Sequence, residues 1–449
     1  MTSYLAEYAW LGGATCSPDV LIEVEGDRIT AVTPSAGSQS LPEGTVRLAG
    51  LTMPGFVNGH SHVFHRAIRG HGQHGVDSFW AWRDIMYSVA AKLDPDSLYR
   101  IALPTFAEMA LAGATSVGEF FYVHHAPDAT PYANPNEMGH AVVRAAEDAG
   151  LRITLLDTCY LQGGVDGRPL EGVQKRFGDG SWQAWAERVA ALPTTATSRP
   201  GAAIHSIRAV PVDALAPVAE FARERGWPIH AHVSEQPAEN ADAVAELGAT
   251  PTQLLARAGV LGADFTSVHA THLTDEDIAA TGSSHSTVCM CCTTERDLAD
   301  GVGPAGLLAA AGAGLSVGSD AHMMIDLIEE ARSIEWDLRV TTGRRGHVDV
   351  ASLAEALTLG GARSIGWDAG VIEAGRLADL TVVDLETPRT AGASPAAGGD
   401  TLAHVIFGAQ ASDVRTVIRG GQMVVDDFQH LTVPDVGASL SAVIAELHR

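Results

Sequence analysis

Polar side chains at the ends of three apolar runs have the types and spacing of metal ligands. His60 and His62 end the first run, and residues two apart in a strand point to the same side, so both imidazoles can reach one ion. His232 lies in a later run, and Asp320 follows the last one. Three imidazoles and a carboxylate form a nitrogen and oxygen ligand set suited to one divalent transition ion. Zinc is the expected ion, with iron as the alternative, because magnesium prefers oxygen ligands.

These positions require a scaffold that gathers the ends of several strands. Strand-like apolar runs alternate with Ala-rich helical stretches between residues 51 and 365. The continuous apolar character of the runs favours strands buried on both faces, which predicts an α/β fold with a parallel (β/α)8 barrel of the TIM type. Functional residues of such a barrel lie where its strands end. The eight runs are LTMPGFVNGHSH, ATSVGEFFYVHH, LRITLLDTCY, GAAIHSIRAV, PIHAHVSEQ, TSVHATHL, STVCMCCTT and GLSVGSDAH.

Both ends of the chain predict a second, smaller unit. The segment VLIEVEGDRITAVTP has the pattern of a hairpin that turns at Gly26 and Asp27. Near the other end, ADLTVVDL and VRTVIRGGQMVVDD have the pattern of strands with a Gly-Gly turn. We therefore predict a small β-sandwich domain formed by both termini, from residues 1–50 and 366–449, the latter including a terminal helix. The barrel is expected over residues 51–365.

The composition limits the classes of partner. The chain has 449 residues, with 54 acidic and 29 basic side chains and a formal charge of −25. This charge, without any basic cluster, argues against a nucleic-acid partner, whose phosphates need Lys and Arg. The longest charge-free apolar run, residues 303–319, is too short and too weakly apolar to cross a bilayer. We therefore expect neither a nucleic acid nor a membrane as partner.

The cysteines and the first residues indicate the compartment. The N-terminal segment has no basic stretch and carries Glu7, so we expect no targeting segment. Five cysteines in a chain of this size do not suggest a disulfide framework. We expect a reduced, cytoplasmic protein that forms a homodimer. Cys289, Cys291 and Cys292 lie in an apolar run and are expected to be buried rather than to bind zinc.

Several motifs together resemble the amidohydrolase superfamily. They are HSH in the first run, HAHVSE in the fifth, VHATH in the sixth, GSD in the eighth and EAGRLADLTVVD near the C-terminus. Within the superfamily, FWAWRDIMY, EFFYVHH and HSIRAV are similar to the formimidoylglutamate deiminases. The resemblance covers nearly the whole chain. It implies hydrolysis of N-formimidoyl-L-glutamate to N-formyl-L-glutamate and ammonia, a step of histidine degradation.

The resemblance also implies roles for three residues. A divalent ion lowers the pKa of water and supplies hydroxide to the formimidoyl carbon. Asp320, a ligand with one free oxygen, takes the proton as the attack occurs. Glu235 carries a proton to the departing nitrogen, and His269 holds the nucleophile and offsets charge in the tetrahedral intermediate.

A substrate with two carboxylates needs fixed cations. Arg83 and Arg208 are the candidates, because a guanidinium pairs with a carboxylate through two parallel hydrogen bonds. Tyr122 and His205 are expected to add donors. His65 stands where some members of the family have Gln, so its contact with the substrate is an open question.

The metal count follows from the lysines. Binuclear members of the superfamily bridge their ions with a carboxylated lysine from a mid-barrel strand. Neither LRITLLDTCY nor GAAIHSIRAV contains a lysine, since the chain has only Lys92 and Lys175. We expect one ion, unless an acidic residue replaces the lysine as the bridge. His230, close to His232, and the loop residues His71 and His74 are not expected to bind it.

Two other functions stay open at this point. One is a deaminase of the same superfamily that acts on a nucleobase or a related heterocycle. It is favoured if Arg83 and Arg208 point away from the metal site. The other is a metal-binding barrel without catalysis, which is disfavoured by the presence of Glu235, His269 and Asp320.

Overall fold

The computed structural model describes residues 2–38, 40–71, 79–395 and 398–449. No helix in these ranges is both long and apolar enough to cross a membrane. The described strands are β1 (Thr2–Trp10), β2 (Cys16–Glu25), β3 (Arg28–Thr33), β4 (Val46–Pro54), β5 (Phe56–Ser61), β6 (Ala114–Phe121), β7 (Arg152–Cys159), β8 (Ser198–Ile204), β9 (Ile229–Val233), β10 (Phe265–His269), β11 (Thr287–Met290), β12 (Gly314–Val317), β13 (Leu380–Val383), β14 (Val414–Arg419), β15 (Gln422–Asp426) and β16 (Gln429–His430).

Helices follow most of the inner strands, as the alternating pattern predicts. A π-helical turn, Ala356–Gly360, joins two of them. The described helices are α1 (Phe79–Ala90), α2 (Pro95–Leu111), α3 (Glu137–Asp148), α4 (Trp182–Val189), α5 (Val212–Arg223), α6 (Pro237–Leu247), α7 (Pro251–Arg257), α8 (Asp275–Ser283), α9 (Cys292–Asp297), α10 (Ala305–Ala311), α11 (Leu327–Thr342), α12 (Val350–Glu355), α13 (Gly361–Ser364), α14 (Thr401–Gly408) and α15 (Val436–Leu447).

Strands β5 to β12 form an eight-stranded parallel sheet in sequence order. Every residue of β5, β6 and β7 is buried, because parallel strands of a barrel face side chains inside and helices outside. The first and last strands meet at their carboxyl ends, where the His62 amide donates to the Asp320 carbonyl at 3.2 Å and the Asp320 amide donates to the His60 carbonyl at 3.1 Å. The predicted (β/α)8 barrel is confirmed.

The remaining strands form a separate sheet from both chain ends. Its order is β16-β15-β14-β13-β4-β1-β2-β3, so the C-terminal strands join the N-terminal ones through the pairing of β13 with β4. The two predicted hairpins are present, β2 with β3 and β14 with β15. The structure therefore confirms that both termini build one unit beside the barrel.

Two details of the structure were not part of the sequence-based prediction. The first apolar run contains two strands, because β4 belongs to the terminal sheet and β5 to the barrel, so the boundary predicted at residue 50 falls inside β4. The chain passes between the sheets at Gly55, where an added Cβ would lie 2.3 Å from the Thr115 hydroxyl oxygen. Strand β1 also lacks the alternating pattern of a half-exposed strand, since Tyr4, Leu5 and Ala6 are all buried.

A buried ion pair links the barrel to the terminal sheet. Arg152 at the start of β7 donates from Nε to Asp379 Oδ2 at 2.9 Å, and both side chains are 1% exposed. The other oxygen of Asp379 accepts the Gly420 amide at 2.6 Å. The pair therefore fixes a barrel strand against the β13 and β14 side of the other sheet.

We expect Asp379→Ala to lower the free energy of unfolding by about 3–5 kcal/mol, because it removes the buried partner of Arg152 and leaves only the half-exposed Asp27 at 3.6 Å. Urea unfolding followed by circular dichroism measures the change. Asp368→Ala is the matched control, because Asp368 pairs with Arg28 at an exposed position and such pairs contribute about 0–1 kcal/mol. Equal losses in the two variants would contradict the assigned role of the buried pair.

Candidate metal centre and active site

Four predicted ligands meet at the carboxyl rim of the barrel. His60 lies in β5 and His62 directly follows it, while His232 lies in β9. Asp320 follows β12, and the backbone bonds that join β12 to β5 bring it beside the first two histidines. The four side chains are all buried, and one ligand atom from each lies within 4.8 Å of the other three.

The distances between the ligand atoms fit one small divalent ion. The Nε2 atom of His232 lies 3.2 Å from that of His60 and 3.3 Å from that of His62. Asp320 Oδ1 lies 3.3 Å and 3.4 Å from the same two nitrogens of His60 and His62. Ligands about 2.0–2.1 Å from a tetrahedral ion are roughly 3.3–3.4 Å apart. The donor set and its spacing therefore suit zinc or a similar transition ion.

Backbone carbonyls orient two of the imidazoles. The Nδ1 atom of His62 donates to the Phe120 carbonyl at 2.7 Å, and that of His232 donates to the His205 carbonyl at 2.9 Å. These bonds place the lone pair of each ring on Nε2, which faces the ligand group. Burial lowers the pKa of His60 to about 3, so this imidazole is also neutral and able to bind a metal ion.

His269 lies between two carboxylates beside the ligand group. Its Nε2 atom is 3.7 Å from Glu235 Oε1 and 3.8 Å from Asp320 Oδ2. Asp320 therefore directs one oxygen to the metal ligands and the other to His269. His269 itself has a positive φ of 69°, at the point where β10 ends and the chain leaves the barrel. The three residues predicted to be catalytic thus surround one small space.

A fourth residue of this group was not predicted as functional. Glu295 in α9 places Oε1 3.4 Å from Nδ1 of His269, and the same oxygen accepts the Cys291 amide at 3.0 Å. Burial lowers the pKa of His269, but Glu235, Glu295 and Asp320 together hold it well above its usual value. In the sequence, Glu295 directly follows the seventh apolar run, but no pattern pairs it with His269.

A cavity of about 330 Å³ opens at this rim. Its lining includes metal ligands, the catalytic candidates and all five predicted substrate-binding residues, which are His65, Arg83, Tyr122, His205 and Arg208. The structure therefore brings the predicted site residues together on one space. Whether each has its predicted role stays a prediction.

The family profile of the amidohydrolases matches residues 51–424. The chain belongs to the amidohydrolase family. It is 34% identical to the formimidoylglutamate deiminase of Pseudomonas aeruginosa, over 96% of both chains. It is also 27% identical to the 5-methylthioadenosine/S-adenosylhomocysteine deaminase of Natronomonas pharaonis, over 95% of this chain and 94% of the relative. The crystal structure of an amidohydrolase from Brucella melitensis matches with a TM-score of 0.89 and 29% identity, and the match covers both chains completely.

The two arginines of this amidohydrolase differ in their surroundings. Arg208 is already paired, with Nη2 3.5 Å from Glu235 and Nε 3.7 Å from Glu239. The guanidinium of Arg83 lies over the Tyr87 ring, with Cζ 5.4 Å from its centre. His65 Nε2 forms a 2.8 Å hydrogen bond with the Tyr122 hydroxyl, which links two of the predicted substrate-binding residues to each other.

Among the described residues, His230 and three cysteines lie outside the ligand group. His230 donates from Nε2 to the Ser364 carbonyl at 2.8 Å, and burial lowers its pKa to about 4. Cys289, Cys291 and Cys292 are buried free thiols. His74 lies outside the described residues.

We expect His232→Asn to lower the affinity for the divalent ion by more than about tenfold, the loss typical even of residues that only support a ligand. Metal content after dialysis, measured by mass spectrometry of the elements, tests this. His230→Asn is the control from the same strand, and it should keep the metal content of the unmodified protein. Equal metal loss in both variants would contradict the ligand assignment.

Proposed function

We propose that the chain is a hydrolytic deaminase that converts N-formimidoyl-L-glutamate into N-formyl-L-glutamate and ammonia, with one divalent ion, zinc by preference. The observation that carries the proposal is the position of His269 Nε2, 3.7 Å from Glu235 and 3.8 Å from Asp320, beside a four-residue ligand group. Arg83 and Arg208 line the same cavity. The 34% identity to a formimidoylglutamate deiminase supports the choice of substrate.

The first part of the reaction needs a base next to the attacking water. When bound, the divalent ion supplies Lewis-acid activation of that water at neutral pH. Asp320 is the base, because Oδ1 faces His60 and His62 while Oδ2 is turned towards His269 and the cavity. The His60 and His62 imidazoles beside Asp320 and its neighbour His269 outweigh burial and hold its pKa below the usual value, so it starts ionised.

The second part needs an acid at the leaving nitrogen. Glu235 lines the cavity and lies 3.7 Å from His269, so it can deliver a proton to the departing nitrogen. That nitrogen needs two protons to leave as ammonia, and the attacking water supplies both, one through Asp320 and one through Glu235, as the C–O bond forms and the C–N bond breaks. His269 is held protonated by its three carboxylate neighbours. Its Nε2–H therefore offsets the negative charge that develops when the formimidoyl carbon becomes tetrahedral.

Arg83 and Arg208 are proposed to bind the two carboxylates of the substrate. Burial raises the pKa of the Tyr160 hydroxyl, and the positive charges of Arg208 and Arg83 both oppose this rise. Both guanidinium groups are therefore near enough to the same part of the cavity wall to affect one hydroxyl. A substrate carboxylate at Arg208 would share this cation with Glu235 and Glu239. In a chain with a charge of −25, such local cations must overcome the long-range repulsion of an anion.

A heterocycle deaminase is the second candidate. Aromatic rings line the cavity, including those of Tyr87, Tyr122, Tyr160 and Phe177, and they could stack on a neutral ring. The 27% identity to a 5-methylthioadenosine/S-adenosylhomocysteine deaminase is in line with this alternative. The arginines favour the acidic substrate, because Arg83 and Arg208 place two cations at the cavity and a neutral ring offers no negative charge to bind them.

Ammonia release from a substrate panel separates the two candidates. The panel contains N-formimidoyl-L-glutamate, N-formimidoyl-L-aspartate, guanine, cytosine and 5-methylthioadenosine. Release from the glutamate compound, at least about 100-fold faster than from the heterocycles, is the expected result. Release from a heterocycle alone would overturn the proposed substrate and leave the hydrolase assignment in place.

We expect Glu235→Gln to reduce kcat by about 10²–10⁴, because the amide cannot transfer the proton, and to keep the ion bound by His60, His62, His232 and Asp320. Glu246→Gln is the matched control, since Glu246 lines the same cavity but is exposed. It should keep kcat within about twofold. Turnover retained by the Glu235 variant would contradict its proposed role.

We expect Arg83→Met to lower kcat/KM for N-formimidoyl-L-glutamate by about 10–150-fold, since hydrogen bonds to a charged group contribute about 1.5–3 kcal/mol. Arg168→Met, at an exposed position of the same cavity, should change it by less than about threefold. The monoamide of the substrate's side-chain carboxylate provides a second comparison. If Arg83 and Arg208 each bind one carboxylate, either Arg83→Met or Arg208→Met should lose little activity on this monoamide.

Two predictions about the cellular form accompany this proposal. We propose a cytoplasmic location, which agrees with five cysteines that are all free thiols. The homodimer also stays a prediction.

A further inference from the structure

The strongest unassigned feature is a second group of potential ligands next to the first. Glu235, His269 and Asp300 each place one ligand atom within 4.8 Å of the other two, and all three residues are buried. None of them belongs to the first ligand group. Asp300 follows α9, which places it at the same rim as β10 and β9.

Asp300 has an oxygen that lacks any protein partner. Its Oδ1 accepts a hydrogen bond from the Gln236 side chain, whereas Oδ2 is buried without one. The residue is only 2% exposed. A buried carboxylate oxygen without a hydrogen bond costs free energy, so its position next to two other ligand atoms points to a missing cation.

The charges around His269 also favour a cation. Its imidazole is surrounded by the carboxylates of Glu235, Glu295 and Asp320, at 3.7, 3.4 and 3.8 Å. Asp300 adds a fourth carboxylate, with one oxygen within 4.8 Å of ligand atoms of both Glu235 and His269. Like charges at this spacing in a buried site repel each other strongly, and a divalent ion relieves that repulsion as well as a proton does.

We propose that Glu235, His269 and Asp300 form a second, inhibitory site for a divalent transition ion. One imidazole and two carboxylates suit zinc or manganese, with positions left open towards the cavity, and the ion displaces the proton from the His269 nitrogen that it binds. Glu235 and His269 line that cavity, so an ion from solution can reach them. An ion there occupies the proton carrier Glu235 and the charge-stabilising His269, and turnover stops while it is bound.

A third group in the structure is a weaker candidate. His269, Cys291 and Asp320 also lie within 4.8 Å of one another. Asp320 already belongs to the first ligand group, however, and burial raises the pKa of the Cys291 thiol well above its usual value. A thiolate ligand is therefore harder to form there than a second carboxylate contact at Asp300.

Zinc binding to the protein already loaded with one ion per chain tests the proposal without any substrate. Equilibrium dialysis against increasing zinc, with isothermal titration calorimetry, should reveal a second ion per chain. Asp300→Asn should lower the affinity for this second ion by at least about tenfold and leave binding of the first ion unchanged, because the amide retains the Gln236 contact but loses the charge. Cys291→Ser should bind both ions like the unmodified protein.

Glu235→Gln is a second variant that should also lower the affinity for the second ion. In the deaminase assay, the zinc concentration for half-inhibition should rise at least about tenfold in Asp300→Asn. A single ion per chain at millimolar zinc would overturn the proposal, as would a second ion that Asp300→Asn binds equally well. Failure of the proposed substrate is a separate result, since the ion count does not depend on turnover.

Discussion

The joining of β12 to β5 is the constraint on which the site depends. Two backbone hydrogen bonds, at 3.1 and 3.2 Å, connect Asp320 to His60 and His62 where the first and last barrel strands meet. Asn58 supports this seam, because its side chain donates to the Ser319 hydroxyl at 2.7 Å and accepts the Ser319 amide at 3.0 Å. A barrel that did not close here would leave the carboxylate ligand separated from the imidazoles. The fold thus brings the predicted metal ligands together through its main chain.

Burial then divides the titratable groups into two sets. His60 has a pKa lowered to about 3 because it is enclosed, which makes its imidazole a neutral ligand. His269 lies in the same rim, yet Glu235, Glu295 and Asp320 keep its pKa well above the usual value. The imidazoles of His60 and His269 therefore differ in charge because their neighbours differ. This contrast agrees with the proposed division between metal binding and proton transfer within one small volume.

The sequence predicted the elements that follow from local pattern. The eight apolar runs correspond to the barrel strands, and the two histidines of His-x-His at the end of the first run lie together in a group of four potential ligands. The contacts of Glu295 with His269, and of Asp300 with Glu235, could not be predicted in this way. Each joins elements that are distant in sequence, and their distances depend on how α9 leaves β11. The sequence did not predict that the first run divides into two strands at Gly55 for a similar reason, since the division depends on the close approach of Gly55 to Thr115.

The central claim is that one divalent ion binds between His60, His62, His232 and Asp320. Anomalous diffraction from crystals of the protein, purified and grown without added metal and measured on both sides of the zinc and iron absorption edges, tests it directly. The account predicts one strong peak within about 2.0–2.3 Å of the Nε2 atoms of the three histidines and of Asp320 Oδ1. A peak at another group of residues, or no peak at these four in a protein that releases ammonia from its substrate, would contradict the account.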